Sequence, residues 1–182
     1  MERRTAIKNI VMSLGISVSA SSVLSILESC TNNRAKFKPV FFNLNEKRLI
    51  DLLVDIILPR TSTLGGKDLN LTQFVDKICK HVLATQEQHF MKQGAEVFQS
   101  RLNDELNKTI SNASAADLEV FVSSHFNTSK EKEIFSLLEQ DFDTLNEAEK
   151  NNYQFFYFFK TAREFSLLGY FTSQSIVEDY LK

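Results

Sequence analysis

The chain has 182 residues, 43% of them hydrophobic and 24% charged, with a formal net charge of −2. That is the composition of a globular domain with an ordinary core, and a near-neutral chain with no basic stripe argues against nucleic-acid binding. Five glycines and two prolines leave little material for a hairpin-rich β-protein, so an all-α fold is expected.

The first element reads as an address. Met1–Asn9, MERRTAIKN, sets Arg3, Arg4 and Lys8 against one acid, Glu2, and no charge follows from Ile10 to Leu27. A basic start before an uncharged apolar run is the order of an export signal. Serines dilute that run, so it is too mild for a membrane span. Paired arginines with mild hydrophobicity suit the twin-arginine route, which carries folded cargo. Its usual pattern, RRxFLK, reads here Arg3-Arg4-Thr5-Ala6-Ile7-Lys8, with Ala6 replacing the aromatic. Leu27-Glu28-Ser29-Cys30 looks like a lipobox, although Glu28 stands where a small uncharged residue is usual. Lipidation of Cys30 would place the protein in the envelope, anchored to the membrane through its N-terminus. Nearby cleavage to a soluble periplasmic form, an uncleaved anchor, and a plain amphipathic helix are the alternatives. Residues 1–29 are therefore assigned to the signal.

Residues 30–42 are expected to form an extended arm, because Pro39 removes a donor and biases its predecessor away from helix. The arm lays Phe37, Phe41 and Phe42 on the body. Residues 43–182 then read as a single-domain bundle of six or seven helices. The first starts near Asn45 as N-cap and buries Leu49, Leu52, Leu53, Ile56 and Ile57 before Pro59 stops it. The loop Pro59–Asp68 contains Gly65-Gly66 but neither GxGxxG nor GK[ST], so it is a structural loop and not a phosphate cradle. Helices follow over roughly Thr72–Ala84 and Glu87–Ile110. Two shorter ones are capped by Ser114, with Asp117 three residues on, and by Ser129.

The stretch Tyr153–Ser173, YQFFYFFKTAREFSLLGYFTS, holds nine of the 20 aromatic residues in 21 positions. Each aromatic side chain can bury about 150–250 Å², so this is the expected central helix. Thr144 and Glu147 have capping-box spacing to open it, and Gly169 has the place of a C-terminal stop, leaving Thr172 or Ser173 to cap a last turn or two.

No residue pattern carries chemistry. His81, His89 and His125 lack ligand spacing, and Cys79 sits in an apolar-periodic helix without a CxxC partner. The acids Glu139, Asp141 and Asp143 read as solvated caps at a helix boundary. The sequons at Asn70, Asn107, Asn112 and Asn127 read as chance in an Asn- and Ser-rich chain. No catalytic, metal-binding or cofactor-binding residue is assigned.

Two stretches carry a resemblance. Ile56-Ile57-Leu58-Pro59-Arg60-Thr61-Ser62-Thr63-Leu64-Gly65-Gly66-Lys67-Asp68, running on to Phe74-Val75-Asp76, resembles the gluconate 2-dehydrogenase subunit 3 family, which reads much like IIPxTDTPGAKD and then FID. Leu167-Leu168-Gly169-Tyr170-Phe171-Thr172-Ser173 looks like its LLGYFTS signature. Ser62 and Leu64 depart from the family's Asp and Pro, which implies a less rigid loop. The resemblance implies a non-catalytic accessory subunit of an envelope flavoprotein dehydrogenase for sugars, sugar acids or polyols. There the FAD belongs to a large subunit of the glucose–methanol–choline type, and a cytochrome c can accept the electrons. The small subunit would aid export, anchoring and stability. The partner-facing residues it suggests are Pro59, Thr61, Thr63, Gly65, Tyr170 and Phe171. The alternative is a stand-alone envelope lipoprotein that binds another protein or a ligand.

Overall fold

The computed structural model describes residues 20–31, 37–127 and 129–180, and among these every regular element is helical. In chain order they are α1 (Ala20–Thr31), α2 (Leu44–Ile57), α3 (Leu71–His81), α4 (Thr85–Leu106), α5 (Ala115–His125), α6 (Glu131–Leu138), a 3-10 turn (Phe142–Thr144), α7 (Glu147–Thr172) and α8 (Gln174–Tyr180). The all-α expectation is borne out. Arg3, Arg4 and Lys8 lie outside the described residues. The chain divides into two compact units, one formed by residues 1–83 with 162–182 and the other by residues 84–161.

In the first unit, α1 and α2 both pack on α3. The N-cap of α2 is Asn43, two residues before the expected Asn45. Asn43 accepts from the Glu46 N–H at 2.9 Å and donates its own N–H to Glu46 Oε2 at 2.7 Å, a reciprocal box that Asn45 has no acid in place to make. Packed on α3, the helix buries Leu49, Ile50, Leu53 and Val54, and the expected Leu52, Ile56 and Ile57 are only half-buried. Of the expected arm over residues 30–42, Cys30 and Thr31 belong to α1, residues 32–36 lie outside the described residues, and residues 37–42 carry no regular element and bend at 40–42. Phe42 is buried, Phe41 half-buried against its ring edge-on, and Phe37 lies under the Lys47 ammonium.

The second unit is built on rings. Phe98 of α4 stacks on Phe155 of α7 at 5.4 Å and meets Phe121 of α5 edge-on at 5.0 Å. Phe126 covers Phe155 and Phe159, with centroids 5.4 and 3.9 Å away. The Arg101 guanidinium lies 4.3 Å above the Phe155 ring while donating to Asn152 Oδ1. Gly94 lets α4 approach α7 so closely that a Cβ there would run into the Gln154 carbonyl and Phe158 Cβ. A smaller cluster of Phe90, Leu145 and Tyr153 receives Leu137, Leu138 and Phe142.

Two of three expected cap signals resolve differently. The box that opens α7 is Asn146 with Glu149, each accepting the other's N–H at 3.0 and 2.9 Å, because the Thr144 hydroxyl is engaged with the Asp141 carbonyl in the 3-10 turn. Ser129 does not cap α6: its hydroxyl donates to Asn127, and the helix starts after Lys130 with no side-chain cap. The Ser114–Asp117 box is present as expected.

Candidate partner-binding site

After α2 the chain turns back sharply. The Gly66 N–H donates to the Leu58 carbonyl at 2.8 Å, and the Gly66 carbonyl accepts from Leu71, which joins the loop to the first turn of α3. Gly66 must be glycine because a Cβ would overlap Val54 Cγ1; at Gly65 a Cβ would sit 2.7 Å from the Arg60 nitrogen. Asp68 closes the loop from inside, accepting from the Gly65 N–H at 2.9 Å and from Arg60 Nη1 at 2.8 Å. Lys67 reaches back to Asp55 on α2 at 2.6 Å. The two glycine amides are thus spent within the loop, and no anion cradle remains.

The end of α7 meets this loop. Gly169 does not stop the helix, which continues to Thr172. Its role is contact: a Cβ there would lie 2.7 Å from Phe74 Cδ1 and 2.9 Å from Leu71 Cδ2, so α7 rests directly on the start of α3. One residue on, the Tyr170 hydroxyl approaches Thr63 Oγ1 at 3.5 Å, and Phe171 stands edge-on to Tyr170 with 40% of its surface open. Thr172 is buried and turns its hydroxyl onto the Leu168 carbonyl, while Ser173 bonds the Tyr170 carbonyl and α8 follows.

The six suggested contact residues therefore fall in one corner of the first unit. Pro59, Thr61 and Phe171 are exposed, Thr63 and Tyr170 are half-buried, and Gly65 is buried and shapes the loop from beneath. The corner offers hydroxyls and one open ring, with the Arg60–Asp68 ion pair at its side. It holds no nucleophile beside a base. Among the described residues no group of three His, Cys, Asp or Glu is placed to hold a metal ion.

One residue escaped sequence reading. Asp76, fully buried on α3, accepts the backbone N–H groups of Val40, Phe41 and Phe42 at 2.8, 3.0 and 2.9 Å. It ties the arm to the helix, and a carboxylate with three donors is a well-satisfied buried charge. The signal available was an acid directly after the apolar pair Phe74-Val75 in an otherwise buried turn. Cys30, the lipidation candidate, is also inside, 2% exposed at the end of α1, and burial pushes its thiol up from the ordinary range despite the opposing pull of Lys77. Cys79 is buried, as its apolar helix suggested, and His125 pairs with Glu105 at 2.9 Å.

The sequence profile of the family described as gluconate 2-dehydrogenase subunit 3 matches residues 45–182, three-quarters of the chain and every residue of this corner. The protein belongs to that family. Comparison with curated proteins and with solved structures gives no match. Gluconate 2-dehydrogenase subunit 3 is named as one component of a dehydrogenase assembly, and membership sets this chain among accessory subunits. The matched region begins at the second residue of α2, so α1 and the arm lie outside it.

Proposed function

We propose that the protein is a non-catalytic accessory subunit of an envelope flavoprotein dehydrogenase acting on sugars, sugar acids or polyols. The FAD resides in a large subunit of the glucose–methanol–choline type, and a cytochrome c takes the electrons. The chain leaves the cytoplasm by the twin-arginine route through Arg3, Arg4 and Lys8, already folded, and is held at the membrane through Cys30. The reading rests on family membership together with a first unit whose two family stretches meet at Thr63 and Tyr170. Phe171, 40% exposed beside the glycine-shaped loop, is the apolar side chain this corner offers a partner. No described helix is long and apolar enough to cross a membrane.

The test is purification of the tagged full-length protein from its native host. A flavoprotein should co-elute and give the preparation a flavin spectrum, and a chain that elutes without one counts against the assignment. A Cys30→Ala protein should move from the membrane to the soluble envelope fraction.

A further inference from the structure

Helix α1 runs through the segment expected to be the end of the export signal. Its buried side chains are Val23, Ile26, Leu27 and Cys30, spaced i, i+3, i+4 and i+7. That spacing makes one stripe of an amphipathic helix, and α1 lies against α3. At its C-terminal end Lys77 of α3 donates to the Ser29 hydroxyl at 2.8 Å and to the Ser29 carbonyl at 3.3 Å. A lysine against the unpaired carbonyls of a helix C-terminus favours that docking. Cys30 is the last residue of the stripe and 2% exposed. Diacylglyceryl transfer needs the opposite arrangement. The sulfur must reach the glyceryl carbon of a phospholipid, form the S–C bond and break the C–O bond to the departing phosphate headgroup, with the thiol proton passing to water.

We propose that α1 is an intramolecular mask: docked on α3, it keeps Cys30 and the apolar stripe of the signal covered in the folded precursor, and the cysteine becomes available for lipidation only when the helix leaves α3. The proposal rests on the reading of Cys30 as the lipidation site. It gives a physical reason why a chain exported in the folded state can carry the last apolar residues before Cys30 through the cytosol covered. Lifting α1 at the membrane would uncover Cys30 and the Lys77 side of α3 together.

The experiment reads the two thiols of purified full-length precursor separately, by maleimide labelling and peptide mass spectrometry. In the native chain Cys30 should label at least about 100-fold more slowly than in denaturant, as a group exposed only by local opening does. Val23→Asp, which removes an apolar anchor from α1 and leaves residues 45–182 untouched, should speed labelling at least about tenfold with the helical melting transition unchanged. If Val23→Asp lowers that transition, Lys77→Ala is read in its place and should speed labelling several-fold, about 3- to 5-fold for a lost charged hydrogen bond near the surface. Native labelling as fast as in denaturant, or no response to loosening α1, overturns the mask. Labelled palmitate in cells separates the two ideas. No lipid on Cys30 in any variant refutes the anchor and with it the masking role, whereas lipid on Cys30 with a freely reactive native thiol refutes the mask and leaves the anchor standing.

Discussion

The two halves of α7 use similar residues to different ends. From Tyr153 to Phe159 the helix is a ring surface: Phe155 alone meets Phe98, Phe121, His125, Phe126 and Phe156 within the second unit. From Ala162 to Thr172, in the first unit, the helix still buries Phe165 and Leu168, but a glycine replaces bulk at position 169 and Phe171 reaches the surface. Aromatic content alone therefore does not identify an interface. The half rich in rings closes a core, and the half that carries the family signature sets a backbone close to α3 and presents Tyr170 and Phe171.

That contrast can be broken by substitution. Phe155→Ala should cost about 4 kcal/mol, since it empties a ring site packed on several sides, and lower the melting temperature by about 10 °C. It should leave partner affinity unchanged below the transition. Asp76→Ala should cost about 2–3 kcal/mol because three N–H donors, that of Phe42 buried and the other two partly so, lose their acceptor at once. Faster amide exchange at Val40, Phe41 and Phe42 would locate the effect in the arm. Gly169→Val forces a side chain into Phe74 and Leu71 and should cost about 1–3 kcal/mol. Unlike Phe155→Ala, it should also weaken partner binding, because it shifts Tyr170. Phe171→Asp should change stability by no more than about 0.5 kcal/mol, as an exposed substitution does, and yet reduce recovery of the flavoprotein.

The smallest effect expected is one of pH. Burial, with the Glu87 carboxylate adding to it, raises the Tyr153 hydroxyl above its ordinary range. The folded state then holds its proton more tightly than the unfolded chain. This contribution is complete below the ordinary tyrosine range and is lost as pH rises from there through the raised range of the folded state. An alkaline melting series on Tyr153→Phe should show a shallower decline than the parent.

Much of the fold could be read from the chain because helices announce themselves by period and by caps. The apolar repeats located α2 to α5, and Ser114 with Asp117 fixed one start within a residue. Misreadings arose where one local signal has two physical meanings. A glycine near the end of a helical run serves equally as a stop or as a close contact, and only Phe74, 95 positions away in sequence, decides between them. Thr144–Glu147 and Asn146–Glu149 are both correctly spaced boxes, and the Asp141 turn selects the second. The six candidate residues were legible only as two separate stretches. Their meeting at Thr63 and Tyr170 bridges 107 positions, which no local pattern encodes. Asp76 stood out as an acid after an apolar pair, but its role was hidden for the same reason, since its three partners lie on the arm 34 to 36 residues earlier.

Hydrogen exchange of the isolated subunit against its native complex tests the central claim most directly. Amides of Thr61, Thr63 and Leu64, together with those of Tyr170 to Ser173, should become protected on association, while those of α5 and α6 exchange as in the free chain. Protection confined to α5 and α6, with the loop and the end of α7 unchanged, would contradict the account.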